Sequence, residues 1–252
     1  MNAKIEKMPD ISKCRKFFVN FAVTKYESSR HLRLNIPIML TKFTDIVFDL
    51  GGVVLDINRD VCVDNLLKLG LKDAAKLLDL YVQSGDFLAL EEGTLSAAGF
   101  FDVLREMASV PVTDTQLNQA IDSFITGLPV NRLHALRKLR QQGKKLYVLS
   151  NTNPIMYHGV IDRLFRQEGL SIRDYFDGEI VSFQEKVCKP RPEIFEILKH
   201  RYHLDGDTTL FLDDSETNCR AARACGIHAA CVPVGVEFTE ILAKNIDEIG
   251  IF

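Results

Sequence analysis

The 252-residue chain has no apolar run approaching the roughly 20 residues that a membrane-spanning helix requires, so no transmembrane segment is expected. Its six cysteines (Cys14, Cys62, Cys188, Cys219, Cys225, Cys231) form no CxxC pair and have no histidine-rich companion cluster. That argues against a zinc site and against a disulfide framework. Cys219, Cys225 and Cys231 lie among small and apolar residues, where a free cysteine acts as a buried hydrophobe. There is no basic excess either: a net charge of -3 gives no reason to expect nucleic acid as a partner. With 46% hydrophobic and 26% charged residues, the composition is that of an ordinary globular protein. A soluble, cytoplasmic chain with reduced thiols is the expectation.

Charge is unevenly spread. Residues 1–38 carry eight basic and three acidic side chains, whereas the rest carries 23 basic and 31 acidic. This segment has no long apolar stretch with a small-residue cleavage site, so it does not read as a signal peptide. Glu6, Asp10 and Glu27 weaken the alternative of a cleaved amphipathic presequence. Met39 opens the compact start MLTKFTDIVFDLGG. The expectation is that Met39 is the natural start and that residues 1–38 form a poorly ordered basic extension.

From Thr44 onward the pattern alternates. DIVFDL (45–50) is a short β-branched and aromatic run closed by Gly51-Gly52, which reads as a buried strand and a turn. Residues from about Arg59 to Thr126 show helical spacing with no strand-like runs; LLKLGL, AAKLLDLYV, FLALEEG, SAAGFFDVLREM and LNQAIDSFI are the successive pieces. Next, NRLHALRKLRQQGKKLYVLSN reads as helix, glycine stop and strand. EIVSF (179–183), TTLFLD (208–213) and HAACVPV (228–234) supply further strands, separated by the crossover helices EIFEILKHRY and TNCRAARACG. Such alternation predicts an α/β fold, a Rossmann-like parallel sheet with helices on both faces. The expected division is a core of residues 39–58 and 128–252, with residues 59–127 inserted as a helical cap.

Chemistry-bearing residues recur at the ends of these strands, where open parallel sheets place their ligand sites. Asp49 ends the first strand, and Gly51 and Gly52 let the backbone approach a ligand closely. A carboxylate attacks phosphorus only when the phosphate charge is neutralised, which a divalent cation achieves. Ser150-Asn151 ends the second core strand and offers a hydroxyl and backbone donors to phosphate oxygens. Lys189 stands in CKPRPEIF, where Pro190 and Pro192 stiffen the backbone ahead of a helix. Asp213-Asp214 ends TTLFL, and paired carboxylates there repel unless a cation or hydrogen bonds relieve them. Mg²⁺ takes one or two carboxylates together with phosphate and water, with Asp214 as direct ligand and Asp213 acting through water. Each feature also has a plain reading: a strand-ending Asp, a Ser-Asn turn, a solvated lysine, a helix-capping acid pair.

As a set, IVFDLGGVV, LYVLSNTN, KPRPEIF and LFLDDSETN resemble the haloacid dehalogenase-like hydrolase superfamily, over Phe43 to Val234. The resemblance implies a Rossmannoid core with a helical cap, Mg²⁺ dependence and an aspartyl-phosphate intermediate. It implies Asp49 as nucleophile, Ser150 and Lys189 at phosphate-binding positions, and Asp214 with the Gly51 carbonyl as metal ligands. The DLGGV-type first motif and FLALEEGTLS are similar to the subgroup of bacterial α-glucose-1-phosphate phosphatases. One departure matters: phosphatases of this family usually carry a second aspartate two residues after the nucleophile, as general acid and base, and this chain has Gly51 there. Such positioned catalysis contributes ~10²–10⁴-fold, so its absence predicts a slow enzyme or a good leaving group such as a sugar 1-phosphate. Asp56 is a conceivable substitute, although the start of the cap linker is its preferred role. Three functions follow in order: a Mg²⁺-dependent phosphatase of a small phosphate ester, a metal-free haloacid hydrolase, and a non-catalytic phospho-ligand binder.

Overall fold

The computed structural model describes residues 42–78 and 83–244. The basic segment 1–38 and the expected start at Met39 lie outside the described residues.

Strand β1 (Asp45–Phe48) is followed by a tight loop and a two-residue strand, β2 (Asp56–Ile57). Next come α1 (Arg59–Lys68), the single turn Ala74–Leu77, α2 (Gly85–Glu91), α3 (Ala97–Met107) and α4 (Asp114–Asp122). Their starts are set locally. Asn58 accepts from the Asp60 and Val61 amides, and Thr113 with Gln116 forms a reciprocal capping box. Strand β3 (Ile125–Gly127) then pairs antiparallel with β2, so the helical region leaves and rejoins the sheet domain through one short ribbon. Then follow helix α5 (Val130–Gln141), β4 (Lys145–Ser150), β5 (Gly178–Val181), α6 (Pro192–Tyr202), β6 (Thr209–Asp213), α7 (Glu216–Ala224), β7 (His228–Cys231) and α8 (Phe238–Ala243), with short helical turns between β4 and β5, after β5 and before β6.

The main sheet has five strands in the order β5-β4-β1-β6-β7, every pair parallel. The chain builds outward from β1 to β4 and β5, then returns to β6 on the other side of β1. That reversal opens a crevice at the carboxyl ends of β1 and β6. The ladder runs one residue past β1, where the Asp49 amide donates to the Leu212 carbonyl at 2.8 Å, so Asp49 is fixed at the crevice floor. Alternation along β1 fills both layers. Val47 joins the cluster of Leu149, Ile180, Phe195, Phe211 and Cys219 under α6 and α7. Phe48 points the other way, edge-on to Phe176 and Phe238. The described cysteines are free, and Cys219 is a fully buried member of the apolar cluster.

Four sequence expectations are corrected. The helical reading through Thr126 fails at its end, because Ile125–Gly127 pairs with β2. EIVSF is a strand only to Val181: the buried Ser182 hydroxyl accepts from the Thr152 amide and donates to the Thr152 carbonyl, which turns the chain into a short helix, Ser182–Glu185. In HAACVPV the ladder ends when the Val232 amide reaches the Asp213 carbonyl, and Pro233 has no amide to continue it. Of AAKLLDLYV only Ala74–Leu77 is helical among the described residues, and 79–82 lies outside them.

Candidate active site

The loop after β1 is wound tightly around one carbonyl. Leu50 O accepts from the Val54 and Leu55 amides at 2.9 and 2.7 Å, and the Gly52 amide donates to Leu55 O at 2.9 Å. This turn holds Gly52 at φ +71° against Asp214: a Cβ there would lie 2.2 Å from Asp214 Oδ2. Only glycine meets both demands. Gly52→Ala is therefore expected to displace the Asp214 carboxylate and, with Asp214 as the metal ligand that the sequence resemblance implies, to weaken Mg²⁺ binding by at least about tenfold, since metal sites lose such factors when ligand orientation is disturbed. A Mg²⁺ titration of turnover or melting temperature checks this; an unchanged midpoint would show that the loop yields without moving Asp214.

Lys189 is the hub of the site. Its buried ammonium donates to Asp213 Oδ2 at 2.6 Å and Leu149 O at 2.9 Å, and lies 3.0 Å from Asp49 Oδ1. Its backbone is clamped to Asn151, whose Oδ1 accepts from the Lys189 amide at 2.8 Å while its Nδ2 donates to Lys189 O at 2.9 Å. Beside the phosphate contacts expected of it, Asn151 thus also braces two strand ends. Asp213 is wholly enclosed: Oδ2 faces Lys189, and Oδ1 accepts from the Ser215 amide at 2.9 Å and Asn218 Nδ2 at 3.0 Å. These bonds tie it to Ser215, the residue that precedes α7, and to the first turn of that helix, and Asn218 is a donor that the sequence did not disclose. Ser150 is buried beside Asp49, whose pKa it pulls down, and its hydroxyl donates to the Asn151 carbonyl at 3.4 Å.

Asp49, Asp213 and Asp214 present carboxylate oxygens within 4.8 Å of one another. Burial, then the Asp49 and Asp213 charges, push Asp214 up to about 7. Burial raises Asp49 to about 6 despite the opposing pull of Lys189. Burial also works against the Lys189 charge, yet Asp213 and Asp49 overcome it and hold the ammonium above its ordinary value. The centre thus concentrates more negative charge than its one buried lysine offsets, which is the condition that draws a hard cation.

Asp49, Gly51, Asn151, Lys189 and Asp214 line one cavity of about 80 Å³, to which the inserted region contributes Glu91 and Gln83. An adjoining chamber of about 50 Å³ joins Ser150, Gly51 and Glu91 to the apolar side chains of Phe87, Phe124, Met156 and Ile161. Burial and the Asp49 charge push Glu91 up to about 8. Within the inserted region, Phe87 and Glu91 face this space, while Glu92 pairs with Arg191 at 3.4 Å. Asp56 turns elsewhere: the buried Arg132 guanidinium binds it at 2.8 Å and also holds Glu237 at 2.9 Å and Val54 O at 3.2 Å. Asp56 is the anchor of the ribbon.

A family model described as haloacid dehalogenase-like hydrolase matches residues 46–226. A D-ribitol-5-phosphate phosphatase from Bacteroides thetaiotaomicron is 38% identical over 182 residues, which cover 72% of this chain and 88% of that protein. A crystal structure of a haloacid dehalogenase family enzyme from the same organism, in complex with magnesium and inorganic phosphate, superposes with a TM-score of 0.77 at 33% identity, covering 80% of this chain and 100% of that one. L-2-haloacid dehalogenase from Xanthobacter autotrophicus superposes with a TM-score of 0.52 at 18% identity, over 75% of this chain and 77% of that one, a likeness of fold alone.

Proposed function

The chain belongs to the haloacid dehalogenase-like hydrolases, and from that membership we propose that it is a Mg²⁺-dependent phosphatase of a small sugar or sugar-alcohol phosphate, working through an aspartyl-phosphate. The observation that carries this reading is the meeting of three carboxylates with one buried lysine at the sheet's switch point. Hard oxygen donors whose pKa values are raised by burial and then by one another's charge suit Mg²⁺, which favours one or two carboxylates plus phosphate oxygens and water. Asp49 and Asp214 would hold it with the Gly51 carbonyl, and Asp213, tied to Lys189 and Asn218, would act through water. Once bound, the ion neutralises phosphate charge and keeps Asp49 ionised.

Asp49 is the nucleophile in this reading. Its free oxygen attacks phosphorus while Oδ1 is held by the Leu50 amide at 2.7 Å and by Lys189. Lys189 offsets charge on both nucleophile and phosphate, and Ser150 and Asn151 contribute donors to the phosphoryl oxygens. In this reading residues 59–127 form the cap and residues 39–58 and 128–252 the core, joined through the β2–β3 ribbon. The similarity to a ribitol-phosphate enzyme makes sugar-alcohol phosphates a first substrate class to test, alongside the sugar 1-phosphates suggested by the DLGGV motif.

The test is a panel of sugar-alcohol 5-phosphates, sugar 1-phosphates and sugar 6-phosphates assayed with Mg²⁺ and with EDTA. Turnover is expected to vanish in EDTA and return with Mg²⁺. Turnover that persists in EDTA would point to the metal-free hydrolase, and Mg²⁺-assisted binding without turnover to a phospho-ligand binder.

A further inference from the structure

The reading above leaves the leaving group without a proton. Gly51 has no side chain to supply one, and Asp56 is committed to Arg132. Of the acidic residues lining the cavity, Asp49 and Asp214 belong to the proposed cation site. The remaining one is Glu91. It sits at the end of α2, buried, and it borders both the polar cavity beside Asp49 and the apolar chamber beyond it. A leaving group that extends from a phosphate on Asp49 toward the inserted region must pass this carboxyl.

We propose that Glu91 is the general acid and base of the reaction, a role that rests on the aspartyl-phosphate reading and that the inserted region supplies in place of residue 51. In the first step Asp49 Oδ forms a bond to phosphorus and the bond from phosphorus to the ester oxygen breaks. The Glu91 proton passes to that oxygen, so the alcohol leaves neutral and Glu91 becomes a carboxylate. In the second step the Glu91 carboxylate takes a proton from water as the water oxygen bonds to phosphorus and the Asp49–phosphorus bond breaks. Phosphate is released, and both residues return to their starting states.

The surroundings suit this cycle. Asp49 and Lys189 line the same cavity as Glu91, and the Cys188 thiol is near enough for the Glu91 charge to raise it. Burial against the apolar wall of Phe87, Phe124 and Ile161, with the Asp49 charge, raises the Glu91 carboxyl to about 8, toward the protonated form that an acid requires. After proton transfer, Lys189 is the nearby cation that steadies the carboxylate.

The test compares Glu91→Gln with the native enzyme, Mg²⁺-loaded, on phenyl phosphate and p-nitrophenyl phosphate, two esters of similar shape but different leaving-group basicity. Expected is a fall in kcat/KM of about 10²-fold or more for phenyl phosphate and of less than about tenfold for the nitrophenyl ester, whose leaving group needs no proton. The second step also loses its base, so Glu91→Gln should release a pre-steady-state burst of nitrophenolate close to one equivalent per enzyme. Glu91→Asp, which keeps the acid, should recover part of the phenyl phosphate loss. Equal losses on both esters with no burst would overturn the assignment. Asp49→Asn on the same esters tests the underlying reading separately: activity surviving there removes the nucleophile, whatever Glu91 does.

Discussion

Asp49→Asn is expected to lower turnover by roughly 10⁴–10⁶-fold, the scale on which loss of a covalent nucleophile is felt, while the protein stays folded. The amide keeps the side chain's shape and can still accept from the Leu50 amide and Lys189. It cannot form the acyl phosphate. Stability should not suffer, because Lys189 keeps Asp213 at 2.6 Å and Asp214 loses a neighbour that raises its pKa. The pH dependence has a definite sign. Asp49 is raised to about 6 in the metal-free fold, so the native protein loses stability as pH climbs from the ordinary carboxylate range through 6. An asparagine has no such loss. The melting temperature of Asp49→Asn relative to native should therefore rise between pH 4 and pH 7 in EDTA. Substantial turnover by the purified variant would end the nucleophile reading. A relative melting temperature that falls with pH would instead mean that ionised Asp49 stabilises the fold.

What could be read ahead of the structure depended on how local the cause was. The core strands announce themselves because a parallel strand covered on both faces is a short apolar run with little alternation, as in IVF, LYVL and LFL. Each run stops at Asp49, Ser150 or Asp213, and parallel strands in one sheet bring those stops to one edge. The β2–β3 ribbon was illegible because strands of two and three residues carry no measurable period. The fate of Asp56 hung on Arg132, far along the chain, and no local pattern encodes that ion pair. Ser182 looked like strand because its reason for turning is a reciprocal bond with Thr152 across the sheet edge. Glu91 was legible as a residue of the helical insert that could face the cleft, but its orientation was not. Which face of a seven-residue helix looks across a cleft is decided by packing, here Phe87 against Phe100.

The largest stability effect is expected at Lys189. In Lys189→Met the aliphatic stem is nearly preserved, but the centre keeps three carboxylates within 4.8 Å and no cation. Breaking a buried ion pair from one side costs about 3–5 kcal/mol, because the partner charges remain buried and uncompensated. For a chain of this size that corresponds to roughly 6–20 °C in melting temperature at pH 8 without divalent ions. Lys189 lowers the pKa of both Asp49 and Asp214, so its removal lifts them further above about 6 and about 7. Groups raised in the fold contribute stability at low pH that disappears as pH rises through their folded values. The deficit of the variant should therefore be greatest at pH 8 and shrink toward pH 5, where protons take the place of the lost cation. Millimolar Mg²⁺ should recover part of the deficit at pH 8 but little of the turnover, since an ion beside Asp214 cannot reproduce the bond from Lys189 to Asp49 Oδ1. Melting curves at the two pH values, with and without Mg²⁺, separate charge from packing. A deficit equal at pH 5 and pH 8 would assign the loss to the stem and to the ammonium's position 5.4 Å from the Phe211 ring centre, and would remove Lys189 as the electrostatic hub.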